Sequence, residues 1–295
     1  MILIVGGSGT LGRLVTTRLL AAGERVRVMS RNPGKAAALR AAGAEVVQGD
    51  LLDRQSVIDA CAGADVVIAA AHSIFGRGRN ASVHVDDAGH RQLIDIAKAH
   101  GTRHVVYTSV YDHGPAYHAV PFFRIKRGIE QHLKASGLSY TIVRPTAFMD
   151  FHAHALIGKP VLAKGKVVLF GRGEQPRNFV AADDVAQFVV LAVRDKSLAG
   201  EAVDVGGPEN LTHLDVVRLY ERVSGRPAKV TRVPLGVART VSRLVRPAHP
   251  GLSQILQASV LAEEGAERFD ARPLMARFPI TLTRLEDWVT RHASA

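Results

Sequence analysis

The chain begins with a short apolar run that leads directly into a glycine-rich turn, and this junction constrains the fold more than any other feature. Residues 2–5 (Ile-Leu-Ile-Val) are typical of a parallel strand that is covered on both faces. Glycines stand at positions 6, 9 and 12, where they permit a tight turn, close approach to a pyrophosphate and close packing of a helix on the strand. The N-terminus of that helix would offer unpaired N–H groups and the positive end of its dipole to the phosphates.

This strand, turn and helix predict a dinucleotide-binding site, although glycine turns also occur in proteins that bind no ligand. The residues expected to contact the cofactor are those of the turn and of the first helical residues: Gly6, Ser8, Gly9, Thr10, Leu11 and Gly12.

The second predicted strand is followed by a cation. A protein specific for NAD usually has a carboxylate here, which binds the ribose hydroxyls, whereas this chain has Arg31. A guanidinium, with Lys35 nearby, can bind a 2′-phosphate through charge-assisted hydrogen bonds. The pattern predicts NADP(H) as the cofactor; the alternative is that Arg31 is a solvated surface arginine.

Two further predicted strands end in residues that suit the remaining parts of a dinucleotide. The third runs into Asp50 and Leu51, and Asp50 either accepts a hydrogen bond from the adenine amine or serves as a turn or cap residue. The fourth ends in the small residues Ala69 and Ala70, against whose backbone a flat ring could lie. We therefore expect all four residues at the cofactor site.

Short apolar strands alternate with helices along the chain, which predicts an α/β fold. With 295 residues, 47% of them hydrophobic, the chain can bury a sizeable core. We expect a doubly wound parallel Rossmann sheet with a smaller C-terminal substrate lobe. The NADP-binding core is expected at 1–150 with 180–207 returning to it, and the substrate-binding lobe at 151–179 and 208–295. Strands are predicted near residues 2–5, 25–29, 45–48, 65–70, 104–108, 140–143 and 201–205.

Targeting and metal signals are missing from the pattern. No apolar run reaches about 18 residues and the chain enters its first strand at once, so we expect neither a membrane span nor a signal peptide, and a cytoplasmic location. The single cysteine, Cys61, cannot form an internal disulfide and is predicted to be a buried helix thiol. No histidines and carboxylates share metal-ligand spacing, so no metal site is predicted.

The net charge of +11 is concentrated in one segment. Residues 211–250 carry eight Lys or Arg against two Asp or Glu, and such a run is usually a solvated face. A peripheral contact with an anionic membrane through 218–246 is the alternative. Nucleic acid is not expected, because the chain has no basic strand with interleaved aromatics, no zinc spacing and no DNA-reading motif. The expected partner is a small-molecule substrate.

Several motifs, in order, resemble those of the atypical short-chain dehydrogenase/reductase group, which includes the NmrA-like, isoflavone reductase-like and triphenylmethane reductase-like proteins. The resemblance runs from Met1 to about residue 290. It rests on the glycine turn, Ser30-Arg31-Asn32, Gly49-Asp50-Leu51, the run Val-Val-Tyr-Thr-Ser at 105–109, Ser-Gly-Leu-Ser-Tyr-Thr-Ile-Val-Arg-Pro at 136–145, and the segments 205–210 and 278–288.

The resemblance implies a catalytic serine after the fifth strand and a Tyr-x-x-x-Lys pair on the next helix. Ser109 and Lys126 match the serine and the lysine, but Phe122 stands at the tyrosine position and cannot donate a proton. Lys126 would still bind the nicotinamide ribose and orient the ring. The alternative for Lys126 is an exposed ion pair with Glu130, one turn further along the helix.

Loss of the tyrosine leaves three ways to complete a reduction. Another acid donates the proton, Tyr111 being the first choice among Tyr111, His113, Tyr117 and His118 of the same loop. Alternatively, water donates it, or the substrate itself is an electron sink, such as a quinone, a conjugated imine or a cationic dye. The residues expected to wall the nicotinamide follow the sixth strand: Pro145, Thr146 and Phe148. Packing in the core explains Phe148 and the neighbouring Met149 equally well.

These observations predict an NADP(H)-dependent oxidoreductase that passes hydride between its cofactor and a small conjugated or carbonyl-bearing molecule, with Lys126, Ser109 and Tyr111 as catalytic residues. Lys126, Ser109 and the polar loop favour this interpretation, whereas Phe122 favours two other functions. One is a non-catalytic NADP-binding redox sensor of the NmrA type. The other is a scaffold at a membrane complex, like the accessory subunit of respiratory complex I that has this fold.

Overall fold

The structure is a computed structural model that describes residues 1–292. Within that part of the chain the strands are β1 (Ile2–Val5), β2 (Val26–Ser30), β3 (Glu45–Gln48), β4 (Val66–Ala69), β5 (His104–Thr108), β6 (Ser139–Pro145), β7 (Ala147–Phe148), β8 (Lys166–Phe170), β9 (Arg177–Val180), β10 (Ala202–Val205), β11 (Asn210–Leu211) and β12 (Lys229–Val233).

The α-helices are α1 (Thr10–Ala21), α2 (Ala37–Ala41), α3 (Arg54–Cys61), α4 (Gly89–Ala99), α5 (Pro121–Ala135), α6 (Lys159–Lys164), α7 (Ala182–Arg194), α8 (His213–Ser224), α9 (Leu235–Val245), α10 (Pro250–Glu264), α11 (Arg272–Arg277) and α12 (Leu285–His292). Two π-helical segments, Val83–Ala88 and Met149–Gly158, precede α4 and α6.

The main sheet has seven strands in the order β10-β6-β5-β4-β1-β2-β3. Neighbours from β3 to β6 pair in parallel. The order reverses between β1 and β4, and open α/β sheets bind ligands at the carboxyl ends of the strands beside such a reversal. The predicted doubly wound Rossmann sheet is confirmed, and all seven predicted strands form.

The sheet core is built from the apolar runs that identified the strands. All four residues of β1 are buried, and α3, α4 and α5 pack their apolar positions into the same cluster. Cys61, at the end of α3, belongs to this cluster, which confirms the predicted buried helix thiol. Burial raises the pKa of its thiol to about 11, so the sulfur stays protonated.

The chain is divided into two compact units. The first consists of Met1–Val110, Pro121–Arg144 and Val185–Val203, and the second of Tyr111–Val120, Pro145–Asp184 and the chain from Asp204 onward. The predicted boundaries differ, because they assign residues 111–120, 145–150, 180–184 and 204–207 to the Rossmann core. Sequence patterns identify strands and turns, but they do not show against which core a connecting loop packs.

The second unit has its own core and two small sheets. One sheet has the order β11-β9-β7, and the other pairs β8 with β12 in parallel. Tyr220 on α8 and Trp288 on α12 are among the large buried side chains of its core. Helix α8 begins with a capping box, in which Thr212 and Asp215 bond reciprocally to the backbone of the first turn.

The basic segment lies mainly on the surface of this unit, and several of its arginines contact oxygen atoms. Arg218 pairs with Asp215 at 3.2 Å, and Arg239 pairs with Glu264. Arg226 donates to the carbonyl of Leu162 at 2.6 Å. In residues 1–292 no helix is both long and apolar enough to cross a membrane. The cytoplasmic location stays a prediction.

Candidate functional site

The glycine turn between β1 and α1 is built by close backbone contacts. Gly6 adopts φ +90°, and a side chain there would clash with the backbone of Ala70 and Ala71, just past the end of β4. A side chain at Gly12 would overlap the carbonyl oxygen of Gly6, so the helix approaches the turn more closely than any other residue allows. At Gly9 an added Cβ would meet only the Gly6 carbonyl oxygen, at 3.3 Å. The geometry of the turn therefore requires glycine at positions 6 and 12, whereas the space beside Gly9 is largely open.

Helix α1 starts without a side-chain cap. Gly9 is its N-cap residue, and the first turn contains no acidic residue. Its N–H groups and the positive end of its dipole are not compensated by the chain itself, which suits a bound phosphate. Thr10 and Ser8 lie at this entrance, whereas Leu11 is buried and anchors the helix in the core.

The end of β2 lies beside the same turn. Ser30 donates a hydrogen bond to the hydroxyl of Ser8 at 3.2 Å. Arg31 follows, is exposed, and donates to the side-chain oxygen of Asn80 at 3.0 Å. Asn80 gave no signal in the sequence, because it is 49 residues away along the chain. The end of β2 thus places the cation of Arg31 where the 2′-phosphate of NADP would lie if the glycine turn held the pyrophosphate.

The ends of β3 and β4 have mainly structural contacts. Asp50 accepts a hydrogen bond from the backbone N–H of Leu52 at 3.0 Å, which is the turn role given above as the alternative to an adenine contact. Leu51 and Ala69 are buried, and the N–H of Ala70 donates to Val5 at 2.9 Å. The small side chains of Ala69 and Ala70 keep the backbone of β4 close to the glycine turn.

Lys126 is buried in the first unit. Its side chain is only 3% exposed, and its Nζ donates to the carbonyl oxygen of Thr108 at 3.0 Å. The Nζ also lies 4.9 Å from the centroid of the Tyr107 ring and 5.7 Å from that of Phe122. The alternative of an exposed ion pair with Glu130 is wrong, because Glu130 pairs with Arg144 through contacts of 2.9 and 2.5 Å.

Burial lowers the pKa of Lys126, because an ammonium group loses its hydration in the protein interior. The carboxylates of Asp86 and Glu130 oppose this shift. Asp86 lies in the π-helical segment before α4, is fully buried, and accepts hydrogen bonds from the N–H of Ser73 at 3.1 Å to each oxygen. Such π-helical turns within helices frequently occur at functional sites.

Buried polar atoms near Lys126 have no hydrogen-bond partner in the structure. They are the hydroxyl groups of Tyr107, Thr108 and Ser109 and the Nε2 atom of His90. An unsatisfied buried group of this kind costs about 1–3 kcal/mol unless a ligand or water satisfies it. Ser109 and Thr108 stand at the carboxyl end of β5, which is the edge where ligands bind in this fold.

The residues of the first unit therefore fit a dinucleotide. The turn at Gly6, Gly9 and Gly12 and the open end of α1 could hold the pyrophosphate, and Arg31 the 2′-phosphate. Lys126, with unpartnered hydroxyl groups beside it, could hold the ribose at the nicotinamide end. Phe122, 8% exposed, offers a ring face in place of a phenol and has no proton to donate.

The loop that carries the predicted proton donors belongs to the second unit. Tyr117 is buried and donates to Glu267 at 2.6 Å, and His118 contacts Asp112 at 2.9 Å. His113 lies 3.8 Å from Glu267, and burial lowers the pKa of its imidazole. Three of the four candidates thus have carboxylate neighbours.

Tyr111 is the fourth candidate. Its ring makes edge contacts with His113 and Phe269, at centroid distances of 5.0 and 5.4 Å. Its backbone N–H donates to Pro145 at 2.9 Å. Burial, with smaller contributions from Asp204 and Asp112, raises the pKa of the phenol. Tyr111 is therefore protonated at neutral pH and its ring is oriented by packing, and its role as proton donor stays a prediction.

The residues after β6 are held by a polar network of the second unit. Thr146 donates its hydroxyl to Asn178 at 2.8 Å, and its N–H donates to Val205 at 2.9 Å. Pro145 is buried, Phe148 is half-buried, and Met149 belongs to the core of this unit. Nothing in the sequence signalled Asn178 or Glu267, because the side-chain partners of each lie 29 or more positions away. In residues 1–292, no group of three or more histidines, cysteines or carboxylates is arranged to hold a metal ion.

Comparison with known proteins agrees with this geometry. The model of the NmrA-like family matches residues 1–288. The chain belongs to the NmrA-like family. The resemblance to atypical short-chain dehydrogenase/reductases drawn from the sequence is thereby confirmed, over the range that was predicted.

Proteins that are similar to this chain differ in the roles that their names give. The photosystem II assembly factor Ycf39 of Cyanophora paradoxa is 34% identical over 239 residues, which are 79% of this chain and 72% of that protein. The (4-alkanoyl-5-oxo-2,5-dihydrofuran-3-yl)methyl phosphate reductase of Streptomyces griseus is 30% identical over 295 residues, which are 100% of this chain and 99% of that protein.

A similar fold occurs in the triphenylmethane reductase of Citrobacter sp., whose crystal structure contains NADP(H). The two chains superpose with a TM-score of 0.77 at 20% identity, over 98% of this chain and 99% of that one. At this identity the likeness establishes the fold.

Proposed function

We propose that this protein is an NADPH-dependent reductase that transfers hydride to a small conjugated acceptor, such as an enone or a quinone. The observation that carries the proposal is the buried Lys126 beside the unpartnered hydroxyl groups of Thr108 and Ser109, combined with Phe122 at the position of the usual acid. The site keeps the groups that orient a cofactor, and it lacks the group that protonates a simple carbonyl oxygen.

The chemistry of the acceptor follows from the missing phenol. NADPH, when bound, supplies a hydride. A simple ketone develops an alkoxide that needs a strong proton donor at once, whereas an enone or quinone accepts the hydride into a conjugated system and forms a delocalised enolate or hydroquinone anion. Such an anion can take its proton afterwards from Tyr111 or from water. The substrate in the name of the Streptomyces reductase contains a conjugated lactone, which supports this class of acceptor.

Cofactor choice follows from Arg31. Its guanidinium offers charge-assisted hydrogen bonds to a 2′-phosphate, and the end of β2 holds no carboxylate that would repel one. The NADP(H) found with the Citrobacter enzyme supports the same choice.

The test is NADPH oxidation by the purified protein with a panel of quinones, enones, cationic dyes and simple ketones. We expect turnover with the conjugated acceptors and little with the ketones. Lys126→Met should lower turnover with every acceptor, because the lysine orients the cofactor in each reaction. Phe122→Tyr is the matched variant, and it should raise ketone reduction selectively. Tight NADPH binding without turnover of any acceptor would contradict the proposal and support a redox sensor.

A second candidate function is binding to a membrane surface or a membrane complex, favoured by one feature of α9. Val237, Val241 and Leu244 follow helical spacing and yet are exposed by 50, 38 and 74%. Arg239 and Arg243 lie on the same helix and would suit an anionic surface. The similarity to Ycf39, which is named as a photosystem II assembly factor, supports a role of this kind.

Flotation with anionic and with neutral lipid vesicles tests the second role. Binding to anionic vesicles that is lost in Leu244→Asp would support it. Equal flotation of the variant and the parent protein would contradict it, whatever the outcome of the enzyme assays.

A further inference from the structure

The most unusual charged group in the first unit is the carboxylate of Asp86. It is 0% exposed and lies in the π-helical segment Val83–Ala88. Its two oxygens accept from the N–H of Ser73, each at 3.1 Å. An ionised carboxylate with only one backbone donor is expensive to bury, unless a nearby cation offsets the cost.

The nearby cation is Lys126. The π-helical segment packs against α5, which carries the lysine. Within residues 1–292 no salt bridge of 4 Å or less reaches Asp86, and the electrostatic influence of its carboxylate, which raises the pKa of Lys126, acts over a longer distance. The rings of His90 and Tyr107 belong to the same cluster: His90 Nδ1 lies 2.9 Å from the backbone oxygen of Asp86, and its ring packs edge-on against Tyr107 at 5.7 Å. Tyr107 in turn lies under the Lys126 ammonium.

The second carboxylate near Lys126 is already neutralised. Glu130 on α5 binds Arg144 of β6 in a two-pronged ion pair. The other titratable groups that face Lys126 are His72, His90 and Tyr107. Burial lowers the pKa of His90 to about 4 and raises the pKa of Tyr107. The imidazole of His90 and the phenol of Tyr107 are therefore uncharged at neutral pH. Asp86 is thus the group in this cluster whose negative charge is not balanced by an arginine.

We propose that Asp86 is a positioning residue that acts through Lys126: its buried carboxylate keeps the lysine in the ammonium form, which can donate hydrogen bonds to a ligand beside Ser109. A neutral amine would donate less strongly and would no longer offset the charge of Asp86. That the ligand is NADPH rests on the proposed function, whereas the coupling of the two charges does not.

The direct test is the titration of Lys126 in the protein without cofactor. The titration is monitored through the 15Nζ resonance of the lysine, which is assigned by its absence in Lys126→Met. In Asp86→Asn the midpoint should fall by at least one pH unit, a tenfold loss of proton affinity. The asparagine can still accept from Ser73 through its side-chain oxygen, so the charge is removed and the backbone contact is kept. Asp87→Asn is the matched control, because Asp87 is partly exposed and pairs with Arg91 at 2.5 Å. In this variant the titration midpoint of Lys126 should equal that in the parent protein.

A second measurement decides the question if Asp86→Asn folds poorly. In urea denaturation, Asp86→Asn should destabilise the parent protein, and it should stabilise the Lys126→Met variant, in which the carboxylate is buried without its cation. An unchanged titration midpoint, or an equal cost of Asp86→Asn in both backgrounds, would overturn the proposal and leave Asp86 as a brace for the loop at Ser73.

NADPH affinity measured against pH then connects the pair to the ligand. The alkaline loss of affinity should begin at least one pH unit lower in Asp86→Asn than in the parent protein, since a depressed lysine pKa releases the proton earlier. If NADPH affinity fell at the same alkaline pH in Asp86→Asn and in the parent protein, the proposed effect of Asp86 on ligand binding would be overturned. If the parent protein does not bind NADPH at all, the proposed function fails, while the titration and the denaturation cycle still decide whether Asp86 and Lys126 are coupled.

Discussion

Two clusters of buried polar side chains, one around Asn178 in the second unit and one at the end of β5 in the first, differ in how their hydrogen-bonding groups are satisfied. In the second unit, the Asn178 side chain bonds to Thr146, Gly207, Glu209 and Asn210, with distances between 2.8 and 3.2 Å. In the first unit, the hydroxyl groups of Tyr107, Thr108 and Ser109 are buried with no partner.

This difference separates polar groups that stabilise from polar groups that bind. A buried polar group with several partners fixes the loops around it, and its loss leaves those partners unsatisfied. A buried polar group without a partner lowers stability, and its retention is explained if a ligand satisfies it. The contrast therefore predicts opposite outcomes for substitutions in the two regions.

The largest effect is expected at Glu267 in the second unit. Glu267→Ala removes the partner of Arg177, at 2.6 Å, and of the Tyr117 hydroxyl, and leaves a guanidinium that is only 16% exposed without its anion. We expect a loss of about 3–5 kcal/mol in the free energy of unfolding, measured by urea denaturation. Glu174→Ala is the control, because its pair with Arg172 is exposed and worth at most about 1 kcal/mol. A loss at Glu267 no larger than in this control would break the comparison.

The next effect is expected at the glycine turn of the first unit. Gly9→Val should weaken NADPH binding at least about a hundredfold, roughly 2.7 kcal/mol, because its branched side chain fills the space for the pyrophosphate. Stability should change little, since an added Cβ meets only the Gly6 carbonyl oxygen. In Gly12→Ala the Cβ overlaps that oxygen, so this variant should lose stability as well as binding. Calorimetric titration with thermal unfolding of both variants distinguishes the two cases, and unchanged affinity in Gly9→Val would mean that the phosphates bind elsewhere.

A smaller effect is expected at Arg31. Arg31→Ala should weaken NADPH binding about tenfold, roughly 1.4 kcal/mol, and leave NADH binding unchanged, because only NADPH has the 2′-phosphate. Parallel titrations with the two cofactors measure the ratio. An equal loss for both would assign Arg31 a role in folding through Asn80 instead of a role in cofactor choice.

The smallest effect on stability is expected at Ser109. This substitution tests most directly whether a buried polar group without a partner serves binding instead of stability. Ser109→Ala removes a buried hydroxyl group that has no partner, so the free energy of unfolding should stay within about 1 kcal/mol of the parent value or rise. Turnover of the conjugated acceptors, given as kcat/KM, should nevertheless fall at least about tenfold. A clear loss of stability with full turnover would place Ser109 with the stabilising polar groups of the second unit.

The sequence by itself predicted the parts of the molecule that depend on neighbours along the chain. Runs of apolar residues at strand spacing predicted the seven strands, and the glycines at 6, 9 and 12 predicted the turn that the backbone geometry requires. The role of Arg31 in cofactor choice could be predicted because the residue directly follows the second strand, whose end lies beside the cofactor ribose in this fold. Phe122 and Lys126 were identified because they stand at the positions of the Tyr-x-x-x-Lys pair in the group that the sequence resembles.

Only the tertiary structure decided which polar side chains lie buried together. The Tyr117 hydroxyl donates to Glu267, 150 positions further along the chain, and the segment that carries Asp86 packs against the helix that carries Lys126. It also decided that Lys126 is buried and that Glu130 pairs with Arg144 of β6 instead. The physical reason is that hydrophobic periodicity and turn chemistry are local, whereas the burial of a charge and the choice of its partner depend on which distant segments pack against it.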